Sequence, residues 1–395
     1  MFKSYKFNIK PDKEQTEMLE KHFGACRFMY NWALDKKIKL YTEENKKISC
    51  FDLIRQITPM KKTEEFSWLK DVYIGSLQKS VVNLESAFTR FFKEKKGFPK
   101  FKSKNDSRQS YQCVIGCRVN QELGLIKLPK IKKQFKLRGF RNFEGKIKTI
   151  TIAREANKYF ISILVDDGKE PPEKIKISKD KAIAIDLGIK DFATLSNGEK
   201  IANPKFIKKH EKNLAKQQRR LARKKKGSNR RVKQRIKLAK VYGKIANART
   251  DFLHKTSTNL INRFDAICIE DLNVSGMVKN HNLAKAISNC GWSKFREMLN
   301  YKAEWYGKNI LTIGRFEPSS KVCSCCGSIN NDLQLKDREW QCSKCQAVHD
   351  RDINAAKNIL NFAFQKQNLS PSGRGVEDAE LFNYESDEPS NLTTK

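Results

Sequence analysis

The sequence predicts a mixed α/β and β chain of several domains, and three changes of pattern along it carry that prediction. Apolar residues recur at three- and four-residue spacings through the N-terminal region, then alternate from residue 121 onward. Further on, two short apolar strands each end in a carboxylate, and two C-x2-C knuckles follow them. With 395 residues, 39% of them apolar, the chain is long enough for more than one core and has a globular composition.

Each element follows in order. Residues 3–10, KSYKFNIK, read as a short strand that Pro11 ends, and residues 13–41 continue with helical periodicity. Among the helical patterns that follow, residues 75–101 place Leu77, Val81, Leu84, Phe88, Phe91 and Phe92 on one face, expected to be core rather than a base-stacking platform. The opposite face, with Gln78, Lys79, Asn83 and Arg90, is left to meet nucleic acid. Then the period changes to two. QELGLIKLPKI (121–131) reads as one strand, and residues 146–167 as a strand, a turn and a second strand, so a small β-domain flanks the helical one.

Charge narrows the partner. Eighty Lys and Arg against 44 Asp and Glu leave a formal charge of +36, which repels itself unless a polyanion neutralises it; nucleic acid is the expected partner. No apolar run approaches the roughly 18 residues of a membrane span, so no membrane partner is expected. The start, MFKSYKFNIKPDKEQ, lacks the apolar segment of a secretory signal, and a cytoplasmic, nucleoid-associated protein is expected.

Eleven cysteines in such a chain point to metal or free thiols. Cys323 and Cys326 form one knuckle, and Cys342 and Cys345 form the other after 15 intervening residues, the spacing of a zinc ribbon. Four thiolates close a tetrahedron, so this zinc site is structural and its folding depends on metal. Cys325 is a surplus thiol, and His349 is not needed as a fifth ligand.

Two strands carry the acids. In AIAIDLG, Ile183 and Ile185 share a face and the strand ends at Asp186, with Gly188 allowing a close turn; in AICIEDL, Ile267 and Ile269 lead to Glu270. Near the C-terminus, HDRDINAAKNIL (349–360) sets Asp350 and Asp352 before a helical run, where one can cap the helix and the other can hold a metal. Phosphodiester cleavage by two metals needs several carboxylates around ions roughly 3.5–4 Å apart, and magnesium prefers oxygen ligands. Adjacent strands presenting Asp186 and Glu270, with a third acid from a helix packed on the sheet, is the arrangement of the RNase H fold.

AIAIDLGIKDFATLSNG, ICIEDLN, EPSSKVCSCCG, the second knuckle and HDRDINAAKNI resemble, in order and spacing, the RuvC and zinc-ribbon motifs of TnpB, the OrfB protein of bacterial insertion sequences and a relative of the type V CRISPR effectors. GACRFMYNWAL and GFPKFKSK also look like TnpB. The resemblance implies an RNA-guided endonuclease that takes a guide RNA from the transposon end, reads a short motif beside its double-stranded DNA target and leaves the target itself to base pairing. It implies a monomer on one RNA. The metal-binding, catalytic carboxylates would be Asp186, Glu270 and Asp352, the last chosen over Asp350 because the family pattern D-x-N-A-A puts the ligand directly before the helix. Asp191 and Asp271 do not fit the motif positions. The implied organisation is a WED-like β-barrel domain from residues 1–20 and 121–178, a REC-like helical domain over 21–120, a RuvC domain over 179–321 and 347–370, and the zinc ribbon at 322–346.

The most basic segment, residues 205–261, reads as a helical hairpin split by GSN, with Leu214, Leu221, Val232, Ile236 and Leu238 as sparse apolar contacts. So many cations with few acids need phosphates nearby, and Lys224, Lys225, Lys226, Arg230 and Arg231 at the turn are the candidate contacts. Residues 371–395 are acidic, rich in Ser and Pro, and read as a disordered tail. Two other functions fit the scaffold less well. A guided repressor without cleavage would lack a metal ligand, and a transposase acting by transesterification would need its own end-binding domain.

Overall fold

The computed structural model describes residues 1–368 apart from Phe316 and Leu335, so the expected tail at 371–395 lies outside the described residues. The chain divides into two compact units, one of residues 1–171 and 210–245, the other of residues 172–209 and 246 onward.

In the first unit, β1 (Phe2–Ile9) leads through Pro11 into α1 (Lys13–Glu44). Asp12 and Gln15 cap α1 reciprocally: Gln15 N donates to Asp12 Oδ1 at 2.8 Å and Asp12 N to Gln15 Oε1 at 2.9 Å. Helices α2 (Cys50–Met60) and α3 (Ile74–Lys93) follow. Leu19, Phe23, Met29 and Leu34 of α1 join Leu77, Val81 and Leu84 of α3 in one core. Phe88 packs against this core partly buried, and beyond it the expected apolar face of α3 runs out. Phe92 is 73% exposed, because the last turns of the helix run beyond the core and periodicity cannot tell where a packing partner ends.

The strands expected to form a barrel form two sheets. β2 (Arg108–Cys113), β6 (Lys146–Glu155) and β7 (Lys158–Asp166) join β1 in an antiparallel sheet of order β1-β7-β6-β2, while β3 (Arg118–Asn120), β4 (Leu125–Lys127) and β5 (Phe135–Lys136) form a small one. One bridge, Asn8 to Arg138, ties the region after the small sheet to β1. β2 lies within 21–120, the stretch read as helical. Its inward residues, Gln109, Tyr111 and Cys113, include a polar one, which hides the alternation.

The basic hairpin is α4 (Phe206–Ala222) and α5 (Asn229–Arg263), turning at Gly227, whose φ of 83° suits glycine. Leu214, Val241 and Ile245 are buried, and buried Gln234 donates to Gln217 Oε1 at 2.8 Å. Val232, expected as an apolar contact, is 48% exposed; the polar Gln234–Gln217 pair takes that place between the helices.

The second unit is built on the sheet β10-β9-β8-β11-β12. β8 (Ala182–Leu187), β11 (Ala266–Glu270) and β12 (Asn309–Ile313) run parallel, and β9 (Asp191–Leu195) and β10 (Lys200–Ala202) extend β8 as an antiparallel meander. Short α6 (Val274–Met277) and α7 (His281–Cys290) lead to α8 (Trp292–Trp305). Ile183, Ile185, Ile267 and Ile269 pack with Phe295 and Leu299 of α8 and Leu253 and Leu260 of α5. On the other face, small Ala184 and Cys268 meet Ile359 and Ala363 of α9 (Arg351–Asn368). Between β12 and α9 lies a two-stranded ribbon, β13 (Glu339–Gln341) and β14 (Val348–Asp350). None of the described helices is long and apolar enough to cross a membrane.

Candidate metal centres and nucleic-acid interface

Strand alternation decides where the first two acids sit. In β8 and β11, Ile183 pairs with Ile267 and Ile185 with Ile269, so Asp186 and Glu270 come next in the same parallel register. Period two puts them with Ala184 and Cys268, on the face that α9 covers. Gly188 makes the turn after Asp186 possible, since a Cβ there would stand 2.9 Å from the Asp191 carbonyl oxygen.

Asp352 enters from the first turn of α9. The helix is capped by its neighbour: Asp350 Oδ1 accepts from the backbone N–H groups of Asp352 and Ile353, both at 3.0 Å, and Asp350 Oδ2 accepts from Lys200 Nζ at 2.6 Å. Burial pushes the Asp350 carboxyl up, but Lys200 and the helix N–H groups outweigh it and bring it below its ordinary value. Asp350 is therefore the cap, which leaves Asp352 with only a 3.5 Å contact to Arg338 among the ion pairs of the described residues.

Asp186 feels the whole set. Burial, then the Glu270 and Asp352 charges, push its carboxyl up to about 7. Glu270 is raised by burial, partly relieved by Ser319 Oγ, which donates to Glu270 Oε1 at 2.6 Å. Negative charge is thus concentrated at one point of the sheet, and an all-oxygen donor set there fits a hard divalent cation. Among the described residues, the three carboxylates are not drawn within 4.8 Å of one another as the cysteines are. Asp271, next to Glu270, is taken by Arg296 at 2.5 Å and Arg315 at 2.8 Å.

The cysteines converge. Cys323, Cys326, Cys342 and Cys345 have their sulfurs within 4.8 Å of one another. Cys323 and Cys345 are 3.6 Å apart, as are Cys326 and Cys342, close to the roughly 3.8 Å edge of a tetrahedron with Zn–S bonds of about 2.3 Å. The knuckles repeat one backbone design. Gly327 N donates to the Cys323 carbonyl and Gln346 N to the Cys342 carbonyl, both at 2.9 Å, and both donors have positive φ, 76° and 59°. These four thiols can hold zinc. Buried His349 has Nε2 3.1 Å from Cys323 Sγ and its ring against Trp340, a position that supports a ligand. With Cys325 and Cys323 it forms a second, three-member group.

Sequence reasoning missed the residues that join the two centres. Asn354 Nδ2 donates to the Val322 carbonyl at 2.7 Å while its Oδ1 accepts from Ser324 N at 2.9 Å; Asn358 Nδ2 donates to the carbonyls of Ser319 at 2.7 Å and Val322 at 2.6 Å. Both asparagines are buried. A polar residue every fourth position on an otherwise apolar helix face, Asn354 and Asn358, was the available signal.

The candidate nucleic-acid contacts are dispersed. Lys224, Lys225, Lys226 and Arg230 are exposed at the hairpin turn, whereas Arg231 is half-buried and donates to the carbonyls of Leu221 and Lys224, both at 2.9 Å, closing α4. Gln78, Lys79 and Asn83 are half-buried on α3.

Three family models match the chain: a "Probable transposase" model over residues 162–281, a "Cas12f1-like, TNB domain" model over 292–359, and a "Helix-turn-helix domain" model over 1–47, which here form β1 and the single long α1. A curated relative from Streptomyces pristinaespiralis, named "Putative RNA-guided DNA endonuclease", is 39% identical over 361 residues, covering 91% of this chain and 88% of its own. InsQ of Escherichia coli K12, which carries the same description, is 31% identical over 90% of this chain and 91% of its own. The fold is also that of the Cas12f1 protein in a cryo-EM complex with sgRNA and target DNA, at a TM-score of 0.55 and 15% identity over 89% of this chain and 83% of that one. Identity of this extent across almost the whole length settles the relationship, and the chain belongs to the TnpB family, the OrfB proteins of the IS605 group.

Proposed function

We propose that the chain is an RNA-guided endonuclease that cuts double-stranded DNA by hydrolysis in a RuvC-type, RNase H-like domain. The observation that carries this reading is Asp186 and Glu270 at two neighbouring strand ends with Asp352 at the start of the helix on that face, where burial first, and then the Glu270 and Asp352 charges, hold the Asp186 carboxyl up to about 7. The sheet order β10-β9-β8-β11-β12, an antiparallel meander followed by two parallel strands, supports the RNase H-like assignment. Bound among these oxygens, two magnesium ions would activate a water and neutralise the leaving oxygen. The chain's own residues prepare that place. Asp350 takes the helix cap and so frees Asp352, Ser319 orients one oxygen of Glu270, and Asp186 gives up its proton when a cation replaces it.

The remaining roles follow the same reading. Cys323, Cys326, Cys342 and Cys345 hold a structural zinc. The two sheets of the first unit serve as the WED-like part and α1 to α3 as the REC-like part. A guide RNA from the transposon end and the target DNA lie against the basic surface, which includes Lys224, Lys225, Lys226 and Arg230, with Arg231 holding the hairpin turn beneath them, and Gln78, Lys79 and Asn83 read the motif beside the target. One protein acts on one RNA. The complete acid set weighs against a repressor that binds without cutting.

The test is cleavage of a plasmid library, with a guide-matched target beside randomised sequence, by protein co-expressed with its own downstream DNA. Magnesium-dependent cutting confined to some flanking sequences is expected. Guided binding without cutting by either wild type or Asp186→Ala would transfer the case to the repressor.

A further inference from the structure

The end of α3 and the loop after it hold aromatic rings on the surface. Phe88, Phe91, Phe92 and Phe98 form one cluster, with ring centroids 5.0 Å apart for Phe91–Phe92, 5.4 Å for Phe91–Phe98 and 5.6 Å for Phe88–Phe98. The cluster is open outward: Phe92 is 73%, Phe98 46% and the neighbouring Phe101 55% exposed. The loop is pinned. Asn31 Oδ1 accepts from Lys102 N at 2.8 Å, its Nδ2 donates to the Lys102 carbonyl at 2.9 Å, and Gln109 Nε2 donates to the Ser103 carbonyl at 2.8 Å. Lys102 Nζ also sits 3.8 Å above the Tyr30 ring. Cations are interleaved with the rings along the chain: Arg90, Lys93, Lys95, Lys96, Lys100 and Lys104, with Glu94 as the one acid from residue 90 to 104.

We infer that this surface stacks unpaired bases of the DNA strand displaced when the guide pairs with its target; the inference rests on the guided-nuclease reading. Exposed rings interleaved with lysines are the chemistry of single-strand binding, in which π-faces accept any base and cations follow the phosphates. From Phe91 to Phe101 there is no Asn, Gln, Ser or Thr to read a base edge. A displaced strand changes sequence with every guide and suits such a tolerant contact. The constant part of a guide RNA would favour base-edge hydrogen bonds instead.

The experiment compares the wild-type protein–guide complex with Phe92→Ala/Phe98→Ala on a target duplex carrying 2-aminopurine at successive positions of the displaced strand. Wild type is expected to quench the probe at a short run of positions, and the variant to lose that quenching and about tenfold of its affinity for the duplex, with guide-RNA affinity unchanged. Phe92→Trp keeps a stacking face and should retain both signals. Unchanged quenching and duplex affinity in the double variant would overturn the inference, as would a loss confined to guide-RNA affinity. Wild type that holds matched and mismatched duplexes equally would refute the guided reading itself, and the inference with it.

Discussion

The ribbon and the acid cluster are built in opposite ways. Four cysteines between residues 323 and 345 are brought together by two local turns, and their sulfurs already stand at the edges of a tetrahedron. Asp186, Glu270 and Asp352 come from distant segments and are placed by parallel strand register and by a helix docked on Ala184 and Cys268. The ribbon has a small core of its own, Leu333 and Trp340 beside Cys323 and Cys342, so a metal held by the four thiols is expected to carry its folding. The acid cluster stands on a sheet with apolar cores on both faces. Its placement rests on that packing.

That contrast predicts a graded set of responses. The largest is to Asp186→Asn, which keeps shape and removes a ligand charge: single-turnover cleavage should fall by about a thousandfold or more while guided binding holds and metal-free thermal stability at neutral pH does not fall. Next is Cys342→Ser, for which metal analysis should find the zinc lost and hydrogen exchange should find β13 and β14 opened, with the β8–β11–β12 sheet still protected. Cleavage should fall with it, because Asn354 and Asn358 fasten α9 to residues 319–324; undiminished cleavage would show the two centres to be independent.

The pH response separates the centres again. Asp186 is raised to about 7, so the folded metal-free protein binds a proton that the unfolded chain releases near pH 4. The contribution of Asp186 to stability without magnesium should therefore be fully present below that lower value and be lost as pH rises through about 7, a slope that Asp186→Asn removes. At subsaturating magnesium, cleavage should drop about tenfold per unit below pH 7, where the proton competes with the cation, and added magnesium should move that fall to lower pH. Asn354→Ala should cost about 1–3 kcal/mol in chemical denaturation, since it strands the Ser324 N–H and takes a donor from the Val322 carbonyl. The smallest change is to neutralise Lys224, Lys225, Lys226 and Arg230, each expected to lower the salt slope of nucleic-acid binding by about 0.7–0.9 if it meets a phosphate. Arg231→Ala should act on hairpin stability instead.

Legibility followed the same division. Cysteine spacing is local, and the ribbon could be read directly from it. The acids at strand ends could be read because alternation is local too, although which strands neighbour each other is not. The preference for Asp352 over Asp350 comes from the family pattern; what local spacing does not show is Lys200, far away in the chain, whose ion pair with Asp350 accompanies the cap. Other features were hidden by their chemistry. Gln109 facing inward disguised β2, the Gln217–Gln234 pair replaced an expected apolar contact in the hairpin, and nothing in the spacing of Phe88, Phe91 and Phe92 revealed that the core ends before Phe92.

The central claim is that three distant acids make one divalent-cation centre. Iron(II) substituted for magnesium in the protein–guide complex, with peroxide and ascorbate to generate hydroxyl radicals, reports it most directly by cutting the backbone wherever the metal sits. Cuts near residues 186, 270 and 352 together, all suppressed by excess magnesium and by Asp186→Asn, are predicted. Cuts at one segment alone, or at sites unaffected by Asp186→Asn, would contradict the claim.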